Sequence, residues 1–536
     1  MSDTLPAFKH TPVAAVPAKV NLARTTFHAQ KTKPLEYRLT QLRKLYWGLK
    51  DNEAKFVEAF SLDLRKSAFE VAVTEVGWCT NDIVFTCNNL EKWARDEKAP
   101  DIPLTNAPLG PKIRKDPLGV VLVIGAYNFP VQLALGPMIG AIAAGNTAIL
   151  KPSELCPNVA AILQKTIEDS LDSSAYIVVQ GAVPETSALL EEKWDKIFYT
   201  GGAVVGTIIA KKAAETLTPV TLELGAKNPA FVTEHADPRL AARRLLWGKI
   251  LNAGQVCLSQ NYVLVQKDIL PAFVSELKAA LNEFYPNGAK DSPDYARIVN
   301  ARHFHRIKSM LDNSNGKIIF GGTMDEKDLF IEPTGIIIDD HHDAVIQEEI
   351  FGPLFPILAF ETLGEAIKLS NEVFSTPLGL YPFGTKEETD RILRETRSGG
   401  ASVNDSYFHG SIPTLAFGGV GESGQGSYRG RASFDCFTHR RSITSTPSWV
   451  ESFLSIRYPP YANKLGKFKR MADLKPNFDR QGRVSTSWVT WLLKLGGRDG
   501  KNAAGRYVVV LLGEFLRYHD SIRQMLTSSP CSGGGD

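Results

Sequence analysis

The chain lacks closely paired cysteines. Its six cysteines (Cys79, Cys87, Cys156, Cys257, Cys436 and Cys531) are scattered, with no Cys-x-x-Cys pair and no His/Cys cluster at metal-ligand spacing. That pattern argues against a metal site and for free thiols in a reducing compartment. The first residues, MSDTLPAFKH, have no basic segment leading into an apolar run, so no secretory signal is expected. Long apolar runs are lacking too. The two best, Trp488 to Leu495 and Tyr507 to Leu516, are separated by Gly-Gly-Arg-Asp-Gly-Lys-Asn-Ala-Ala-Gly-Arg, and neither reaches the ~20 apolar residues of a spanning helix.

What is there reads as a globular enzyme of several domains: 536 residues, 43% hydrophobic and 22% charged. The net charge of +3 hides an asymmetry. Residues 442–536 carry 14 Lys and Arg against 7 Asp and Glu, which leaves a body of net charge −4. A slightly acidic body does not suit a nucleic acid, whereas a basic tail suits an anionic surface.

Along the chain, residues 1 to about 30 show scattered proline and no periodicity, and are expected to form an arm over the core. Helical spacing follows from Leu35 to Lys66 and from Phe69 to Trp93. These read as scaffold helices whose intervening charges are solvated. Short apolar runs come next, at 119–125, 145–151, 175–180 and 196–200, separated by helix-length segments. Such alternation predicts an α/β fold with a parallel, Rossmann-like sheet and ligands at the strand C-termini.

Three loops fall at such ends: Ala126-Tyr-Asn-Phe-Pro130, Lys151-Pro-Ser-Glu154, and Thr200-Gly-Gly-Ala-Val-Val-Gly206. The last has Gly-x4-Gly spacing rather than GxGxxG, and enters a helix near Val204. Alone, each loop reads as ordinary turn chemistry. Further on, Glu223 lies in an apolar strand, where an unpaired carboxylate is costly. Cys257 follows 34 residues later, at a glycine turn before another apolar run. A free cysteine by itself is usually inert packing.

Glu-Leu-Gly-x-Lys followed at this spacing by Gly-Gln-x-Cys resembles the aldehyde dehydrogenase superfamily. Motifs in matching order extend over about residues 35–460, and Arg457-Tyr-Pro-Pro460 resembles the class 3 branch. That branch includes fatty aldehyde dehydrogenases and fungal relatives that oxidise apocarotenals. The resemblance implies Cys257 as nucleophile, Glu223 as general base and Asn128 as oxyanion donor. It implies cofactor contacts from Lys151, Glu154, Gly201, Gly202, Gly206, Glu349 and Phe351, with Gly202 standing where the family usually has serine. Cys436 and His439 read as structural.

The same resemblance implies a cofactor domain (35–220), a catalytic α/β domain (221–410) and a small β oligomerisation segment (411–441), after an N-terminal arm (1–34). It also implies a homodimer. Glu154 near the ribose favours NAD, with NADP also open to the branch. The expected substrate is a long-chain or apolar aldehyde; the alternative is a general soluble enzyme for short or aromatic aldehydes. Retention of Glu223 argues against an acylating, CoA-dependent relative, and retention of both Glu223 and Cys257 argues against a non-catalytic structural one. Two readings fit the 442–536 tail: peripheral membrane contact, with Trp488 and Trp491 at the headgroups, or a packed C-terminal subdomain. The expected location is cytoplasmic, with contact to an intracellular membrane under the first reading.

Overall fold

A computed structural model describes residues 4–103, 105–474 and 476–484. The chain divides into two compact units, Met1–Ser445 and Thr446–Asp536.

Beside a three-stranded antiparallel sheet (Glu97–Lys98, Lys112–Pro117 and Thr438–Ile443) and a two-stranded one (Met324–Asp325 and Phe330–Ile331), the first unit is built on two large sheets. One contains the parallel strands β1 (Val120–Ile124), β2 (Thr147–Lys151), β3 (Tyr176–Val178), β4 (Lys196–Gly201) and β5 (Val220–Leu224), in the order β5-β4-β1-β2-β3. The two-residue strand Gly424–Gln425 closes its β5 edge antiparallel, with Gly424 opposite Glu223. Burial on both faces explains why these strands read as continuous apolar runs.

The other sheet contains β6 (Asn228–Val232), β7 (Gln260–Gln266), β8 (Lys317–Phe320), β9 (Thr334–Ile337), β10 (Leu354–Phe360), β11 (Gly379–Phe383) and β12 (Gly400–Ala401). Their order is β8-β9-β10-β7-β6-β11-β12, and β8 alone pairs antiparallel. Glu223 belongs to the first sheet. Cys257 stands just before β7 of the second.

The N-terminal segment corrects the sequence reading. Residues Val16–His28 form a helix, α1, which buries Val16, Val20 and Ala23 against Val120, Leu122 and Ile149. Its apolar positions do recur at helical spacing, but Pro17 and the polar residues between them mask the pattern. Pro17 suits the first turn, where no N–H is needed.

Helices α2 (Leu35–Asp51), α3 (Glu53–Asp63) and α4 (Gly77–Ala94) pack with α5 (Gln132–Ala144) over one face of the first sheet, burying Leu42, Phe60, Ile83 and Ile142 together. A five-residue π-helix, Ala72–Val76, leads into α4. The expectation that the charges here are solvated fails at more than one place: Arg38 is buried, with a guanidinium N–H donating to Ala143 O. Lys66 and Glu75 have fully buried side chains and pair at 2.9 Å. Helix α6 (Ala203–Ala214) follows the glycine loop after β4.

In the second unit the described part holds a basic helix, α7 (Leu465–Ala472), with Leu465 and Phe468 exposed. The Trp488–Leu495 and Tyr507–Leu516 runs lie outside the described residues. Among those described, no helix is long and apolar enough to cross a membrane.

Candidate active site

Cys257 is presented by a turn that the backbone would not adopt unaided. Asn252, Ala253 and Gly254 have φ values of 49°, 51° and 75°. Left-handed backbone disfavours non-glycine residues by roughly 1–2 kcal/mol each, so the surroundings must hold it. The Asn252 side chain donates to Asn128 O (2.8 Å) and Gln255 O (3.2 Å). Gln255 Nε2 donates to Asn252 O and Arg297 O, while Gln255 Oε1 accepts from the Val299 amide. Gly254 is required in a second way, because a Cβ there would lie 2.2 Å from Gly352 O. Asn228 Nδ2 donates to Cys257 O and Ser259 O and ties the turn to β6.

The turn opens on a cavity of about 320 Å³ that both Cys257 and Glu223 line. Its wall is otherwise mostly hydrocarbon and aromatic, including Trp78, Phe129, Leu133, Trp247 and Phe417. Burial pushes the Cys257 thiol up to about 12, and the nearby Glu349 and Glu223 carboxylates add to that shift. The resting thiol is therefore protonated. Burial also lifts Glu223 well above the ordinary carboxylate range, and neither of its oxygens has a hydrogen-bond partner among the described residues. An unpartnered buried carboxyl costs stability, which marks it as kept for another use.

Asn128 is buried, and its amide donates to Gln255 O at 3.1 Å. Its neighbour Phe129 lines the cavity, whereas Asn128 itself is not among the lining residues. The structure thus ties Asn128 to the thiol's turn with one amide N–H already engaged.

Lys151, Glu154, Gly201, Gly202 and Gly206 lie at or just beyond the C-terminal ends of the first sheet's strands, whereas Glu349 and Phe351 precede β10 of the second sheet. Lys151 ends β2, and its Nζ meets Glu154 Oε2 at 2.5 Å. Gly202 precedes α6, whose N-terminus has no side-chain cap and no acidic residue in its first turn. Its free N–H groups can receive an anion. A Cβ at Gly202 would meet nothing within 4 Å, so the cradle is open, while one at Gly206 would lie 2.7 Å from Leu224 Cδ2. Gly201 closes β4 just before this cradle.

Glu349 is half-buried, and burial lifts its carboxyl to about 7 against the Ala226 amide, Arg306 and Lys249. Gly225 makes room for it, since a Cβ there would lie 2.0 Å from Glu349 Oε2. Phe351 (φ 47°) stacks edge-on to Tyr127 at 5.9 Å.

Sequence reasoning missed several members. Lys249 is fully buried, and its amine is lowered to about 7 by burial. Arg429 lines the cavity with its guanidinium 3.9 Å from the Trp78 ring and its charge on Asp82. A lysine inside the apolar Leu245–Ile250 run was the available signal for Lys249. Nothing in the sequence marked Trp78.

A parallel sheet with an uncapped helix at its glycine loop, joined to a second sheet through a thiol and carboxyl cavity, defines a nucleotide-dependent dehydrogenase. A model described as the aldehyde dehydrogenase family matches residues 2–443. The beta-apo-4'-carotenal oxygenase of Neurospora crassa is 54% identical over 522 residues, covering 96% of this chain and 98% of that protein. The dimeric NADP-preferring aldehyde dehydrogenase of Mus musculus is 43% identical over 447 residues, 83% of this chain and 98% of that protein. Among solved structures, the substrate-bound state of Staphylococcus aureus AldH is 40% identical with a TM-score of 0.82, covering 85% of this chain and 99% of that one. The chain belongs to the aldehyde dehydrogenase family. It is an NAD(P)-dependent aldehyde dehydrogenase of the class 3 branch.

Proposed function

We propose that this enzyme oxidises a long, apolar aldehyde, of the apocarotenal or fatty type, to its carboxylic acid through Cys257. The cavity carries this reading: a thiol and an unpartnered carboxyl share a space walled by apolar and aromatic side chains, which suits a hydrocarbon chain with one reactive end. The name of the Neurospora relative points to the same substrate class.

In this reading Glu223 takes the thiol proton as Cys257 sulfur bonds to the aldehyde carbon. The oxygen of the adduct is met by the Cys257 backbone N–H and by the second amide N–H of Asn128, the first staying on Gln255 O. Donors of this kind are worth about 3 kcal/mol each. Lys151 and Glu154 hold the adenosine ribose. The α6 N-terminus with Gly201, Gly202 and Gly206 holds the diphosphate, and Glu349 and Phe351 flank the nicotinamide end. Exposed Val183 and Val204 offer apolar surface to the adenine. NAD(P), when bound, supplies the acceptor for the hydrogen and electron pair that leave the adduct carbon. Once Glu223 has passed the thiol proton to solvent, it takes a proton from water, which attacks the acyl group on sulfur; the acid is released and the sulfur leaves as a thiolate that regains its proton.

Two partners belong to the same proposal. The mouse relative is named as dimeric, and we carry over a homodimer. Helix α7 combines exposed Leu465 and Phe468 with Lys467, Lys469 and Arg470, a pattern that suits an anionic membrane surface, and in this reading the enzyme works in the cytoplasm beside lipid-dissolved substrate. The test is turnover across short aliphatic, long-chain and polyene aldehydes, with NAD and NADP each supplied. Higher kcat/KM for the long and polyene members supports the reading; equal or better use of short aldehydes favours the general soluble alternative and overturns it.

A further inference from the structure

The Lys66–Glu75 pair is the most deeply buried ion pair among the described residues, with both side chains at zero exposure. Stability alone does not account for it, because replacing such a pair by apolar residues is often neutral or favourable. Its surroundings suggest another use. Glu75 Oε2 accepts from the backbone N–H groups of Val131 (3.1 Å) and Gln132 (3.0 Å). These begin α5, whose own N-terminus has no side-chain cap. The carboxylate thus caps α5 from a distant segment.

Lys66 Nζ sits 4.1 Å from the centre of the Phe129 ring. The pair therefore grips the chain on the C-terminal side of Asn128, at residues 129, 131 and 132. Asn252 grips Asn128 itself, through the bond from its Nδ2 to Asn128 O, and the Asn252 backbone N–H in turn donates to the Glu70 carboxylate (3.3 Å). Glu75 lies in the π-helix Ala72–Val76, whose Val73 and Thr74 line the cavity. Such π-turns recur at functional sites.

We infer that Lys66 and Glu75 are positioning residues that hold the Asn128–Gln132 segment so that the Asn128 amide meets the substrate oxygen. The inference rests on the oxyanion role proposed for Asn128. The pair touches neither substrate nor cofactor; it acts by fixing the loop at both the ring of Phe129 and the first turn of α5.

A double-mutant cycle tests it. Lys66→Met/Glu75→Gln removes both charges at similar volume, so no lone buried charge remains. Its kcat is expected to fall by about 10- to 100-fold, the scale on which small misplacements act. Its affinity for NAD and its rate of Cys257 alkylation by iodoacetamide should stay within about twofold of the parent. Made in an Asn128→Ala background, the same two substitutions should cause no further loss of kcat, whereas a merely structural role would add its full effect.

Rates are expressed per NAD-binding site counted by titration, so a partly folded preparation still reports. Glu75→Asp serves as a second variant, since it keeps the charge pair but withdraws the oxygen from Val131 and Gln132; its kcat should fall in the same direction. An unimpaired Lys66→Met/Glu75→Gln enzyme beside a slow Asn128→Ala enzyme overturns this inference alone, as does an undiminished loss in the Asn128→Ala background. Full kcat in Asn128→Ala itself overturns the oxyanion reading and this inference together.

Discussion

Glu223→Gln keeps the size of the side chain and removes the base from the cavity. The parent should show kcat rising with pH through a group titrating above the usual carboxylate range, because burial holds the Glu223 proton on. Glu223→Gln should lose that limb and most of its turnover, by about 100-fold or more; a parent-like pH profile in the variant would remove Glu223 from its role. Glu349 gives a stability signature instead. Its folded carboxyl titrates at about 7, above an unfolded value of about 4.3. Between these the folded chain holds a proton that the unfolded chain has released, so this group's contribution to stability is fully present below about pH 4.3. It falls as pH rises to about 7 and levels off beyond. Urea midpoints of Glu349→Gln across that range should fall less steeply than those of the parent, and an equally steep fall would count against this assignment.

Cys257 and Glu223 were legible because their local motifs and spacing are distinctive. Lys66, Glu75 and Lys249 were not, because a charged letter does not show whether its partner is water or another buried charge.

At the scale of elements, the turn Asn252–Gly254 shows how far the thiol depends on its support. Gly254→Ala would place a methyl group against Gly352 O at a left-handed position. It should lower both the thermal midpoint and the alkylation rate of Cys257, as followed by calorimetry and iodoacetamide kinetics; an unchanged midpoint would mean that the turn relaxes freely. The strands of the first sheet were readable as apolar runs because both faces are covered. Helix α1 was hidden by its proline and polar residues, and the π-helix was unreadable because one extra residue per turn leaves no period in so short a stretch.

For the whole molecule, the division after Ser445 separates the unit containing the cavity from the basic remainder. A chain ending at Ser445 should keep its kcat on a soluble aldehyde. It should lose co-flotation with vesicles containing anionic phosphatidylserine, and vesicle binding equal to that of the full chain would move the contact elsewhere. The charge asymmetry that suggested this contact was visible in composition, whereas the cavity wall was not, since it draws Trp78, Trp247, Phe417 and Arg429 from widely separated parts of the chain. The central claim is that the aldehyde carbon bonds to Cys257. The parent enzyme, mixed with a long-chain aldehyde and NAD, quenched in acid within the first turnover and then digested for mass spectrometry, should carry the acyl group on the peptide that contains Cys257. An acyl group on another cysteine, or none while aldehyde is still consumed, would contradict the account.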